Sequence, residues 1–170
     1  MPEQEPPLKD HLAYLLAQAS REINRQLESR LSDEGVPLDQ WRILKVLSDL
    51  NGHSMGDLAD AVLLNHPTLT KIIDRMVSDA LVYRVPDSID RRRVLIFISD
   101  RGKLLNSRLE ALVRRQEADF VDGYGSQSVV HLKRLLEGLV GNARRIGDPR
   151  GRTDPGLGTD EIMELARGEE

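Results

Sequence analysis

Between Ser54 and Ile98 the spacing of apolar residues changes from helical to alternating, and that switch leaves the chain few architectures. Met55, Leu58, Ala59 and Val62 recur at helical spacing behind Ser54, which predicts a short helix with Ser54 as its N-cap. After a break at Leu64 and Asn65, a second helix carries an apolar stripe of Leu69, Ile72, Ile73, Met76 and Val77. Pro67 fits its first turn, where a missing N–H costs nothing. From Val82 the period drops to two. Val82 to Pro86 reads as one strand, and Val94, Ile96 and Ile98 alternate with Leu95 and Phe97 in another. The polar tip between them, residues 87–93, makes the pair a β-hairpin. A hairpin directly after two short helices is a wing on a helix-turn-helix.

The flanks are helical. Leu8, Leu12, Leu15, Leu16, Ala19, Ile23, Leu27 and Leu31 predict one long amphipathic helix from about Leu8 to Leu31, ended by Gly35 and Pro37. A helix from about Asp39 to Leu50 follows, with Trp41, Leu44 and Leu47 on one side, and Asn51-Gly52 reads as a turn. Helix returns after Ser99-Asp100. Leu105, Leu109, Leu112 and Phe120 form its stripe, widened by Leu104, Ala111 and Ala118, and Gly123 and Gly125 end it. Ser126 is the expected cap of a last main helix bearing Val129, Leu132, Leu135, Leu136, Leu139 and Ala143. Residues 147–158 hold four glycines and two prolines and read as linker, with a small helix expected from Thr159 to Ala166. The expected class is mainly α with a small β-hairpin wing: four helices, the hairpin, then two more helices.

Composition narrows the chemistry. A length of 170 residues suits one domain, or one domain with a helical extension. There is no cysteine, which removes disulfides, thiolate metal ligands, cysteine nucleophiles and cysteine redox sensing. No apolar run reaches the length of a membrane span, and the acidic, proline-rich start lacks the marks of a secretory signal, so a cytoplasmic protein with no membrane partner is expected. No glycine-rich phosphate loop or hydrolase motif is present, and an enzyme is not expected. His11, His53, His66 and His131 lack metal-ligand spacing, so neither a metal nor another cofactor is expected.

Charge is uneven. The net charge is −4, yet His66 to Arg93 carries six basic and four acidic residues, leaving 18 basic and 24 acidic elsewhere. A locally basic stretch in an acidic chain suggests one face that meets an anion. On the second short helix, Thr68, Lys71 and Arg75 share a face, with His66 and Thr70 beside them. Small polar and basic groups at a helix N-terminus are what the major groove of B-DNA accepts. A solvated polar face would look the same on this helix alone. Arg91, Arg92 and Arg93 shift the balance, because three adjacent cations repel one another unless an anion meets them. Arginine is drawn into a narrow minor groove by its negative potential. Asp90 is expected to orient Arg92 by a charge-assisted bond rather than to touch DNA.

Helices, NHPTLTKIIDRM, LVYRVPDSIDRRRVLIFIS, DRGKLL and a further helix resemble the MarR family of regulators over roughly residues 8 to 145. Asp90-Arg91-Arg92 matches the family's Asp-x-Arg wing, SDRGKLL its link into the fifth helix, and QWRILKVL is similar to its second helix. The resemblance implies a homodimer built from an N-terminal helix (8–37) and C-terminal helices (100–145), around a winged helix-turn-helix (38–99), with residues 146–170 in excess. It implies a pseudo-palindromic double-stranded DNA partner, contacted by Thr68, Thr70, Lys71 and Arg75 in the major groove and by Arg92 in the minor groove, with Ser54 and His66 at phosphates. It further implies a small-molecule effector, often a phenolic or aromatic carboxylate, that releases the DNA. His11, Tyr14, Gln18, Arg21 and Trp41 are candidates to hold it, although Trp41 also suits a core anchor and His11 and Tyr14 suit interface packing. The competing reading is a winged helix used for protein contact without specific DNA binding.

Overall fold

A computed structural model of the chain describes the backbone of residues 7–147 and the side chains of residues 7–141. The expected linker beyond Gly147 and the helix over 159–166 lie outside the described residues. The chain divides into two compact units, residues 1–119 and residues 120–170.

The first unit begins with a 3-10 turn, Leu8–Asp10, then α1 (Leu12–Ser32), α2 (Leu38–Asp49), β1 (His53–Ser54), α3 (Met55–Val62), α4 (His66–Ser78), β2 (Val82–Pro86), β3 (Val94–Ile98) and the larger part of α5 (Asp100–Tyr124). The expected single helix from Leu8 is therefore two elements. His11 is extended between them and its N–H closes the turn on the Leu8 carbonyl at 3.1 Å. Leucines four residues apart fit either arrangement, so periodicity could not separate them. The α1 terminus matches the expected break: Gly35 has φ +66, and the Val36 N–H reaches back to the Leu31 carbonyl at 3.2 Å.

A third strand was not expected. Gly52 turns at φ +85, and His53 and Ser54 then pair antiparallel with Ile96 and Leu95. The sheet order is β1-β3-β2. β2 and β3 run in register from Val82–Ile98 to Pro86–Val94. Asn51, read as half of a turn signal, accepts the Ile98 N–H on its side chain at 2.9 Å. Helix α3 starts where expected, with the Ser54 hydroxyl accepting the Asp57 N–H. Helix α4 has a cap that periodicity did not reveal. The Asn65 side chain accepts the Thr68 N–H at 2.9 Å, with Pro67 in the first turn as expected.

The core is apolar side chains from every α-helix of this unit and from β2 and β3: Leu31 of α1, Ile43, Leu44 and Leu47 of α2, Leu58 of α3, Leu69, Ile73 and Met76 of α4, Val82 of β2, Ile96 of β3 and Leu109 of α5. Fully burying such a side chain stabilises by about 1.5–3 kcal/mol. The start of α5 is pressed onto the turn before β2. The Ser99 hydroxyl donates to the Ala80 carbonyl at 2.7 Å, and a Cβ on Gly102 would come within 2.3 Å of the Leu81 carbonyl oxygen. The expected widening of the α5 stripe is not found. Leu104, Ala111 and Ala118 are exposed, and the inward face carries Gly102, Asn106, Leu109 and Gln116. Gln116 holds its place by donating to the Ile23 carbonyl at 3.1 Å.

In the second unit, Gly123 lies inside α5 and Gly125, at φ +80, ends it. Ser126 is the first residue of α6 (Ser126–Gly147) rather than the residue before it, a shift of one position. Among the described side chains of α6 none is buried: Leu132, Leu135, Leu136, Leu139 and Val140 are all exposed. Phe120 and Tyr124 stack one helical turn apart at 6.5 Å. Among the described residues, no helix is long and apolar enough to cross a membrane.

Candidate nucleic-acid interface

The sequence of α4 sets two faces. Leu69, Ile73 and Met76 point into the core, so the residues between them must face out. His66, Thr68, Thr70, Lys71 and Arg75 are all exposed. Their backbone is fixed at its start by the Asn65 cap and along its length by the buried stripe. The Thr70 hydroxyl donates back to the His66 carbonyl at 2.9 Å, which leaves its methyl group and lone pairs to the outside. One acidic residue, Asp74, shares this exposed surface and accepts from Arg84 of β2 at 2.6 Å.

The wing tip is built by two aspartates acting on backbone. Asp87 and Arg93 close the hairpin through an N–H to carbonyl bond of 3.0 Å, and the Asp87 carboxylate accepts the Ile89 N–H at 2.8 Å. Asp90 accepts the Arg92 N–H at 3.0 Å, and its own carbonyl accepts the Arg93 N–H at 2.8 Å. The expected bond from Asp90 to the Arg92 side chain is thus replaced by one to the Arg92 backbone, a local turn that short acidic side chains favour. Arg91 and Arg92 are exposed and have no ion-pair partner among the described residues. Arg93 departs from them, with its guanidinium 3.7 Å from the Asp57 carboxylate.

Asp57 sits in the first turn of α3 and joins that helix to the wing. The Ser54 hydroxyl donates to it at 2.6 Å, and this bond, ahead of the charge of Arg93, holds the Asp57 carboxyl below its ordinary range. Ser54, expected at a phosphate, therefore has its proton committed to Asp57 while its oxygen caps α3. Neither the Asp57–Arg93 pair nor the Asp74–Arg84 pair was expected from the sequence. Behind the wing, Tyr83 stacks on Phe97 at 5.7 Å, and Gly52 leaves the room for that ring, since a Cβ there would lie 2.9 Å from it.

The residues expected to hold an effector separate. Tyr14, Gln18 and Arg21 line one groove along α1 with Glu22 and Arg25, and Arg25 is bonded to Glu22 at 2.7 Å. His11 is exposed at the start of α1 and is not part of the groove. Trp41 lies elsewhere, half-buried against the core, with its indole N–H enclosed and without a partner among the described residues. Among the described residues, no group of three or more His, Cys, Asp or Glu is placed to hold a metal.

The MarR family model matches residues 36–94, the segment from the end of the α1–α2 loop to the first residue of β3. The transcriptional activatory protein BadR of Rhodopseudomonas palustris is 28% identical over 145 residues, covering 83% of each chain. The homoprotocatechuate degradative operon repressor of Escherichia coli is 26% identical, covering 81% of this chain and 95% of that protein. The structure of NadR in complex with 4-hydroxyphenylacetate superposes with a TM-score of 0.70 at 27% identity, over 82% of this chain and 97% of that one. Winged helices occur in many settings, but the likeness to these relatives runs past the wing into the long helices on both sides of it, and the family whose model the chain matches is the MarR family.

Proposed function

We propose that the chain is a sequence-specific double-stranded-DNA-binding transcriptional regulator that acts as a homodimer. The observation that carries the reading is the pairing, in one compact unit, of a rigidly backed helix face bearing Thr68, Lys71 and Arg75 with a pinned wing bearing Arg91 and Arg92. Rigid backing matters because a reader placed in advance loses little entropy on binding. Thr68, Thr70, Lys71 and Arg75 read the major groove, His66 lies at the phosphates, and Arg92 enters the minor groove. The protein works where the chromosome is, in the cytoplasm, and performs no reaction of its own.

Its activity is repression relieved by a small aromatic carboxylate. Relatives named for homoprotocatechuate degradation and for a 4-hydroxyphenylacetate complex support that ligand class. Arg21 is the group for the carboxylate, with Tyr14 and Gln18 beside it; Trp41 and His11 are further candidates. A ligand releases DNA only by binding the two conformations of the dimer unequally.

Selection of sites from a random duplex pool, at two salt concentrations, tests the reading. The expected product is a pseudo-palindrome with half-sites about one helical turn apart, bound more weakly at the higher salt. Arg92→Ala is expected to weaken binding to that site by about 1–3 kcal/mol. No enriched motif together with no salt-sensitive binding would overturn the reading in favour of a protein-contact module.

A further inference from the structure

The basic residues from His66 to Arg93 divide into two groups by what they touch. Lys71, Arg75, Arg91 and Arg92 are exposed with no ion-pair partner among the described residues. Arg84 and Arg93 are engaged inside the protein. Arg84, in the middle of β2, reaches Asp74 on α4 at 2.6 Å. Arg93, where the wing tip re-enters β3, reaches Asp57 on α3 at 3.7 Å, and Asp57 is itself oriented by the Ser54 hydroxyl at 2.6 Å. One pair ties the outgoing strand of the wing to the recognition helix. The other ties the returning end to the first helix of the helix-turn-helix.

We propose that Arg84 and Arg93 are positioning residues, which act with Asp74 and Asp57 as two struts that set the wing's angle to α4, and are not phosphate contacts. The proposal rests on the DNA-binding reading above and refines it. Both pairs are largely exposed, so they add little to stability. What they determine is geometry. The wing hairpin leaves the body at β2 and β3, and its arginines can meet the minor groove only if it is held at one angle while α4 occupies the major groove. Asp74 also explains its own presence. A carboxylate on a phosphate-facing helix repels DNA unless a cation of the protein neutralises it, and Arg84 lies in place to do so.

Salt dependence separates a strut from a phosphate contact. Each phosphate neutralised by a cation adds about 0.9 to the slope of log affinity against log salt. Operator affinity and its salt slope would be measured for the full-length protein, for Arg92→Ala, for Arg84→Gln, for Asp74→Asn and for the double variant Asp74→Asn/Arg84→Gln. Arg92→Ala is the control and is expected to lower the slope by about one. Arg84→Gln is expected to lose about two- to fivefold in operator affinity, the range of an exposed ion pair, with the slope unchanged.

Asp74→Asn gives the opposite of the simple electrostatic expectation. Removing a negative charge raises affinity for random duplex, yet operator affinity falls, so the ratio of the two declines. The double variant is expected to be no worse for the operator than either single one, because both break the same contact. Arg84→Lys restores binding, since only one nitrogen of Arg84 meets Asp74 and a point charge suffices. A drop of about one in the slope for Arg84→Gln, or additive losses in the double variant, would overturn the struts and leave DNA binding standing. Absence of salt-dependent operator binding in the unaltered protein would instead sink the reading on which they rest.

Discussion

The winged helix and the C-terminal helix α6 bury their apolar residues in different places. From α2 to β3, Ile43, Leu44, Leu47, Leu58, Leu69, Ile73, Met76 and Ile96 are wholly enclosed by neighbours in the same unit. In α6, Leu132 and Leu135 are each more than half exposed, and no described side chain is buried. Both segments are amphipathic, so their patterns look alike on paper. The winged helix takes its shape from contacts within one chain. A 22-residue helix with an open leucine stripe takes its place from contacts with something else, because a lone helix gains little from propensity and needs its apolar face covered. In the dimer proposed above, that cover is a second copy.

Two variants press on this difference, and the larger effect falls on assembly. Leu135 and Leu139 lie one turn apart on the α6 stripe. Leu135→Glu together with Leu139→Glu places two charges in the proposed interface. The expected outcome is loss of the dimer in sedimentation, at concentrations where the unaltered protein is fully paired, with the winged helix still folded by circular dichroism. A dimer of undiminished affinity would mean that α6 is not covered by its copy. The reverse case is Leu44→Ala. Leu44 has no exposure, so the change removes buried methyl groups and leaves a cavity. A loss of about 2–5 kcal/mol is expected in denaturant unfolding followed by the fluorescence of Trp41, the one tryptophan, with dimer affinity changed little. A loss below about 1 kcal/mol would show a site that collapses freely, unlike a packed core.

Legibility in the sequence follows the same division. Short-range patterns were readable: the Ser54 cap, the Gly35 break, and both strands of the wing each depend on residues a few positions apart. β1 was not, because two residues cannot show alternation and their pairing with Ile96 and Leu95 is set some forty positions away. The α5 face was misread for another reason. Leucine and alanine at 104, 111 and 118 suggested burial, but the approach of Gly102 to the Leu81 carbonyl turns the helix so that Asn106 and Gln116 face inward. In the site, the exposed face of α4 was legible since it is the complement of a buried stripe. The pairs Asp74–Arg84 and Asp57–Arg93 were not, since each joins a helix to the wing and no spacing rule relates them.

Within the winged helix, a cap and a core side chain should differ in size of effect. Ser54 satisfies the Asp57 N–H and holds the Asp57 carboxylate. Ser54→Ala is expected to lower stability by about 1 kcal/mol, as for other N-caps, well short of the loss at Leu44. Thermal unfolding of the two variants side by side checks the ranking. Equal losses would mean that α3 depends on its start as much as on Leu58 and Val62 beneath it.

The first half of α1 belongs with α6 in this comparison, and its smallest signature is a titration. Tyr14, Leu15 and Ile23 are exposed, so this stretch has no core of its own and is laced by side-chain pairs along its surface. Hydrogen bonds from Arg25, and then from Gln26, hold the Glu22 carboxyl down to about 2, from an ordinary value of 4.5. A depressed carboxyl contributes stability that is fully present above its ordinary value and is lost as pH falls through the depressed one. The window is therefore acidic, from about 4.5 down to about 2. Glu22 and Arg25 are both exposed, so salt screens the pair and the effect on unfolding is slight. Carbon NMR of the Glu22 carboxyl reads it directly. A midpoint near 2 at low salt, moving upward as salt is added, is expected for a helix face tied by its own side chains. A midpoint near 4.5 at all salt concentrations would mean that the pair does not form, and that this part of α1, like α6, is ordered only by what covers it.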